Sequence, residues 1–190
     1  YKLCEKARSD SGTKYVLIID EINRGNLSKI FGELLMLIEA DKRGEEYEVS
    51  LTYSPEEKFS VPENLFLIGT MNTADRSIAM VDYALRRRFS FIPLAPQFND
   101  KFKEELLRNG FSTEMIQNIM QNINNLNSII REDISLGEGF QVGHSYFCPD
   151  GNGPYNNSWY DKKIKYKVEP LLKEYWFDSP ELVQSLLEDL

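Results

Sequence analysis

The sequence predicts an α/β fold over residues 1–96 followed by a helical part over residues 97–190. Short apolar runs at 15–19 (YVLII) and 65–71 (LFLIGTM) each lead directly into a cluster of polar residues, with a helical pattern between them. Continuous runs of that length, bounded by turn residues, read as strands buried on both faces and therefore parallel. From residue 97 onward, apolar residues recur at helical spacing and are punctuated by Gly, Pro and capping residues.

Ala7 to Lys14 is a polar lead-in to the first strand, 15–19. Asn26 is a candidate N-cap for a helix carried by Ile30, Leu34, Leu37 and Ile38, which runs to Asp41 and stops at Gly44. Segments 48–51 and 58–61 flank the turn-like Ser54-Pro55-Glu56-Glu57 and predict a projecting β-hairpin. After the buried strand 65–71, a helical stretch at 78–87 precedes a third strand at 89–92, which Pro93 ends. The helical part is expected as 100–109 stopped by Gly110, 113–130, 160–175 interrupted by Pro170, and 180–190. Ser179-Pro180 supplies an N-cap and first-turn pair for the last helix, and 149–158 is a turn region.

With 190 residues, the chain suits one large domain or one domain with a small appendage, at about 150 residues per domain. It is 42% hydrophobic and 27% charged, a composition that builds a packed core. The 22 basic residues stand against 30 acidic ones, a net charge of −8, which argues against holding nucleic acid by phosphate neutralisation alone. Contact with DNA would need a local basic patch or another subunit. Cys4 and Cys148 match neither a zinc spacing nor a disulfide framework, so a reducing compartment is expected. The run at 15–19 is far short of the ~20 apolar residues that span a bilayer, and the expected location is the cytoplasm. The sequence begins at Tyr1 rather than Met, which reads as a piece of a longer chain.

Three constellations carry chemistry. Asp20 and Glu21 follow an apolar strand, at the edge where open α/β sheets bind ligands. In that position an Asp holds Mg²⁺, usually through water, and an adjacent Glu orients or deprotonates an attacking water. The alternative reading is a solvated acidic strand end. Thr70 to Ser77 brings Asn72, Thr73, Asp75, Arg76 and Ser77 to the same edge; Asn72, a neutral donor and acceptor, suits a water-positioning role. Asp75 or Ser77 equally suits a helix N-cap, and both readings can hold together. Arg86, Arg87 and Arg88 fan out by about 100° per residue while helical, so at least one points away from its own domain. They read either as an arginine finger for a neighbour's phosphate or as a solvated helix end that complements the dipole.

In this order and spacing, the segments YVLIIDEINRGN, IFGEL, IGTMNTADRS and YALRRRF resemble the McrB family, the AAA+ GTPase subunits of methylcytosine-dependent restriction systems. The similarity continues into GHSYF at 143–147 and covers most of the chain; the MNTADRS segment is its specific part. The resemblance implies a partial AAA+ P-loop NTPase core, a parallel sheet with helices, followed by a helical lid. It gives Asp20 and Glu21 the Walker B roles, with Asp20 on Mg²⁺, Asn72 the sensor I role and Asp75 the supporting acid. Arg87 and Arg88 match trans-acting arginines, with Arg86 beside them; Arg24 lies where related proteins make intersubunit contacts. Thr73 is placed at the nucleotide, as is His144 of the lid, although a single His between Gly143 and Ser145 also suits a turn or packing role.

The resemblance further implies GTP or ATP as substrate, a ring that is a hexamer, an McrC-like nuclease subunit as partner, and DNA contacted through other domains or subunits. A MoxR-like chaperone ATPase shares an Asp-Glu-Ile-Asn-Arg segment, but the residues after Thr70 resemble the restriction family. A non-catalytic interaction module is the rival from another class. No Gly-x-x-x-x-Gly-Lys-Ser/Thr occurs in the 190 residues. The phosphate loop is therefore expected upstream of Tyr1, the chain alone is expected to be inactive, and strand edges are expected to be exposed beside 65–71 and 89–92.

Overall fold

The computed structural model describes residues 1–74, 86–151 and 153–190. They divide into two compact units, Tyr1–Ile92 and Pro93–Leu190. The first unit contains α1 (Lys2–Ser9), β1 (Tyr15–Ile19), α2 (Leu27–Phe31), β2 (Val49–Leu51), β3 (Ser54–Phe59) and β4 (Leu65–Gly69).

β1 and β4 pair in parallel, Tyr15 opposite Leu65 through Ile19 opposite Gly69. Asn64 fixes where this pairing begins. Its Nδ2 lies 2.9, 3.0 and 2.8 Å from the carbonyls of Ala7, Asp10 and Thr13, and its own carbonyl accepts from Tyr15 N–H at 2.8 Å. The α1 end, the loop and both strand starts are thereby held together. A small core of Cys4, Ala7, Leu37, Phe59, Val61 and Leu65 packs beneath.

The expectation of strands buried on both faces is corrected. Side chains alternate across a strand, and on one face Val16, Ile18, Phe66 and Ile68 are all exposed. Lys14 reaches over the Phe66 ring there, its Nζ 5.9 Å from the ring centre, and leaves the ring exposed. Residues 89–92 form no strand either, because among the described residues no neighbouring strand offers them a hydrogen-bond ladder. The predicted helix at 78–87 falls almost wholly on 75–85, outside the described residues.

The Asn26 cap is present: its side chain accepts from Lys29 N–H at 2.9 Å. The helix it opens is short. Gly32, at φ +50°, breaks it after Phe31, and the chain continues as a tighter 3₁₀ turn from Gly32 to Ile38 instead of a regular helix to Asp41. Arg43 collects the carbonyls beyond, donating to Glu39 and Ile38 and to Leu65 at the start of β4.

The hairpin forms with a different turn. β2 and β3 are antiparallel and the reversal falls at Thr52-Tyr53, not at 54–57. The register shifts between Ser50, opposite Lys58, and Leu51, opposite Ser54, so Pro55, Glu56 and Glu57 bulge out of the ladder. Proline has no N–H to give to a ladder and is tolerated at such a bulge. Glu33 holds the turn, accepting from Thr52 N–H at 3.0 Å and from its hydroxyl at 2.8 Å, and these bonds lower its pKa.

The second unit is helical: α3 (Asp100–Arg108), α4 (Thr113–Glu132), α5 (Asn157–Lys163), α6 (Glu169–Tyr175) and α7 (Pro180–Glu188). Asn99, Ser112 and Asn156 cap α3, α4 and α5 with side-chain oxygens. One face of α4, Ile116, Ile119, Ile123 and Ile130, is fully buried against Phe147, Val168 and Leu172. A π-helical turn, Ile164–Val168, joins α5 to α6 and accommodates Pro170 in the first turn of α6. One expectation changes here. Ser179 precedes α7 without capping it: no helix N–H reaches its hydroxyl, which donates to Asp178. Within α4, Asn127 is buried and exchanges two hydrogen bonds with Val142, pinning the following loop. No helix among the described residues is long and apolar enough to cross a membrane.

Candidate functional site

The C-terminal ends of β1 and β4 bring the acidic pair and the Asn72 segment to one edge. Ladder geometry requires this: Ile19 is opposite Gly69, so the residues that follow each strand emerge side by side. Backbone bonds continue past the strands, from Thr70 N–H to Ile19 O at 3.0 Å and from Ile22 N–H to Thr70 O at 2.9 Å. Asn23 Nδ2 then donates to the Asn72 carbonyl at 3.4 Å. Gly69 permits the close approach. A Cβ there would lie 2.7 Å from Ile22 Cδ1 and 3.0 Å from Cγ2, and Ile22 is itself buried.

Asp20 and Glu21 are both exposed. Asp20 Oδ1 accepts from the Thr70 hydroxyl. Glu21 has φ 50° and ψ 47°, and is the one non-glycine residue with positive φ among those described. Left-handed backbone is disfavoured for a residue with a Cβ and collects at functional sites. The Glu21 carboxylate forms an ion pair with Arg24, one turn on, and both side chains are about half exposed, at 52% and 57%.

Asn72 is exposed, and its side-chain oxygen accepts from Ala74 N–H at 3.0 Å, closing a local turn that orients the amide. Thr73 is exposed beside it. Asp75 lies outside the described residues. The arginine run divides: Arg86 and Arg87 are exposed, whereas the Arg88 side chain is 7% exposed with Nε 2.8 Å from Glu39 Oε1.

In the second unit, His144 packs edge-on against Phe98 and Phe102, and its Nδ1 accepts from Gln97 N–H at 3.1 Å. That acceptor role places the neutral ring's proton on Nε2.

The donor set suits Mg²⁺. Among the described residues, no group of three His, Cys, Asp or Glu side chains converges to cage a metal. Mg²⁺ does not require one: it keeps several waters and takes one or two carboxylates together with phosphate oxygens. Asp20, exposed and oriented by Thr70, is the carboxylate that could take that role.

Thr70, Asn23 and Glu39 were not singled out by the sequence reading. Thr70 carried a signal as the hydroxyl residue at the end of an apolar run. Glu39 carried no such signal, because its contact with Arg88 spans 49 positions.

Comparison with known proteins places these elements. Residues 2–89 match the AAA domain of the dynein-related subfamily, and residues 118–184 match the McrB α-helical lid domain. The chain is 50% identical over 187 residues to the type IV methyl-directed restriction enzyme EcoKMcrB subunit of Escherichia coli K12, covering 95% of this chain and 40% of that protein. It is 31% identical over 153 residues to the type II restriction enzyme BsuMI component YdiS of Bacillus subtilis 168, covering 71% of this chain and 44% of that one. The chain thus spans less than half the length of both relatives. An α/β part with AAA-type sequence, joined to a lid of the McrB type, places the chain in the McrB family of AAA proteins.

Proposed function

We propose that this chain is the C-terminal portion of the motor domain of a McrB-type restriction system, which hydrolyses GTP or ATP in a hexameric ring and works with an McrC-like nuclease subunit on DNA held by other domains or subunits. The single observation that carries the reading is the convergence of Asp20, Glu21 and Asn72 at the ends of two parallel strands, in a chain with AAA-domain and McrB-lid sequences.

In this reading Asp20 holds Mg²⁺ through water. The ion supplies charge neutralisation at the phosphates when bound. Glu21 takes the proton of the attacking water, and Asn72, its amide oriented by the Ala74 bond, fixes that water's position. Thr73 contacts the nucleotide and Asp75 supports the sensor segment. Arg24 and Arg86 face the subunit interface; engagement of Arg24 there releases the Glu21 carboxylate. Arg87 reaches the nucleotide of the adjacent subunit, and Arg88, tied to Glu39, positions it. His144 is read as a further nucleotide contact. The 190-residue chain, whose sequence lacks a phosphate-loop motif, is inactive by itself.

The test uses the full-length protein. Glu21→Gln preserves nucleotide binding and ring assembly and lowers turnover by roughly 10² to 10⁴, the range for a lost general base. Asn72→Ala impairs hydrolysis more than binding, since a water-positioning contact matters chiefly in the transition state. Binding that falls in proportion to activity in Glu21→Gln contradicts the assignment.

A further inference from the structure

Thr70 has no role in the reading above, yet it joins its two halves. It follows β4 directly, beside the acidic pair, and four hydrogen bonds connect it to residues 19–22. Two are backbone bonds, to Ile19 O and from Ile22 N–H. The other two use the hydroxyl, which donates to Asp20 Oδ1 and accepts from Glu21 N–H at 3.2 Å. A hydroxyl carries one proton and two lone pairs, so the proton is committed to the first acid and a lone pair to the second. One side chain therefore sets a carboxylate orientation and a backbone orientation together. The backbone it holds is the left-handed one, and Glu21 N–H points to the hydroxyl in that conformation.

We propose that Thr70 is a positioning residue for nucleotide hydrolysis, its hydroxyl holding the Asp20 carboxylate and the Glu21 backbone in their working arrangement. The inference rests on the reading of Asp20 and Glu21 as the catalytic pair. Thr70 touches no substrate in this scheme; it acts through the two acids. Its position two residues before Asn72 also ties the water-positioning segment to the acidic pair through one strand end.

Valine has threonine's shape without the hydroxyl, and Thr70→Val keeps both backbone bonds. Serine keeps the hydroxyl. In the full-length protein with its partner subunit, Thr70→Val is expected to lower kcat by roughly 10- to 100-fold, the range for a lost outer-shell partner of a metal-ligating residue, with little change in KM. Thr70→Ser is expected to stay near wild type. Hydrogen exchange of the full-length protein gives a readout independent of turnover: the Glu21 amide is protected in wild type and Thr70→Ser and exchanges faster in Thr70→Val.

Wild-type turnover in Thr70→Val overturns the proposal, as does equal loss in Thr70→Val and Thr70→Ser. A Glu21 amide unprotected in the wild type overturns it however the variants fold. Glu21→Gln, assayed in parallel, separates the two levels. If it hydrolyses at the wild-type rate, the reading of the acidic pair fails and takes this inference with it; if it is inactive while Thr70→Val is normal, the role of Thr70 alone fails.

Discussion

Arg88 Nε lies 2.8 Å from Glu39 Oε1, and the arginine side chain is 7% exposed, turned inward from a run whose other two members, Arg86 and Arg87, face solvent. Three adjacent arginines of the same chemistry are thus divided into one buried and two exposed side chains. Arg88→Ala strands a largely buried carboxylate. Because Glu39 keeps 28% exposure, the loss is expected at about 2–3 kcal/mol, below the 3–5 kcal/mol for a fully buried pair. Arg87→Ala is expected to change stability by less than about 0.5 kcal/mol, as surface substitutions do. Urea unfolding of the two variants checks this; equal losses would remove the distinction between them.

Gly69→Ala is expected to disturb the site without touching any of its polar groups. The added Cβ meets Ile22 Cδ1 at 2.7 Å, Cγ2 at 3.0 Å and Cβ at 3.3 Å, so Ile22 must move and Glu21 with it. Overpacking of this kind costs about 1–3 kcal/mol. Thermal unfolding reads the stability loss, and turnover of the full-length variant should fall further than Tm alone accounts for. A variant with unchanged Tm and turnover would mean that the turn after Glu21 adapts freely.

How far the sequence could carry this description depended on the range of the interactions. β1 is found at the predicted residues because an apolar run ending in two acids is a local signal. The hairpin turn was misplaced by two residues because Pro55 is a strong turn marker, and only the pairing with Ser50 and Leu51 shows it to be part of a bulge. Burial failed for a different reason. Val16, Ile18, Phe66 and Ile68 are apolar as a doubly covered strand requires, but exposure depends on what else packs there. Ser179 has the right residue type for a cap, but residue type does not fix whether a helix N–H reaches the hydroxyl, and none does. At the site, the acidic pair and Asn72 were legible from their positions after strands. Thr70 as a bridge, the Arg24 ion pair and the inward turn of Arg88 depend on side-chain geometry that spacing does not encode.

The lid is expected to lose stability in acid through Asp133. Its carboxylate accepts from the Ser135 hydroxyl at 2.6 Å, from Trp176 Nε1 at 2.8 Å and from Ser135 N–H at 2.7 Å. Those bonds hold its pKa below the ordinary carboxylate value, the Ser135 hydroxyl first. A lowered folded pKa means that the stabilisation is complete above the unfolded value, about 3.9, and is lost as pH falls through the folded one. Tryptophan fluorescence followed through acid unfolding should show the wild type losing stability over that window. Asp133→Asn should be less stable at neutral pH and less sensitive to acid; identical acid profiles would exclude Asp133 as the origin.

The proposed use of Glu21 of one subunit and Arg87 of its neighbour in hydrolysis is tested by mixing. Full-length Glu21→Gln and full-length Arg87→Ala subunits are each expected to be inactive, the first for want of its base and the second for want of a finger worth roughly 10³ to 10⁵ in rate. In mixed rings, some interfaces pair an intact Glu21 with an intact Arg87 from the adjacent subunit. Partial recovery of hydrolysis on mixing is the predicted result. No recovery, with mixed rings verified by native mass measurement, would contradict it.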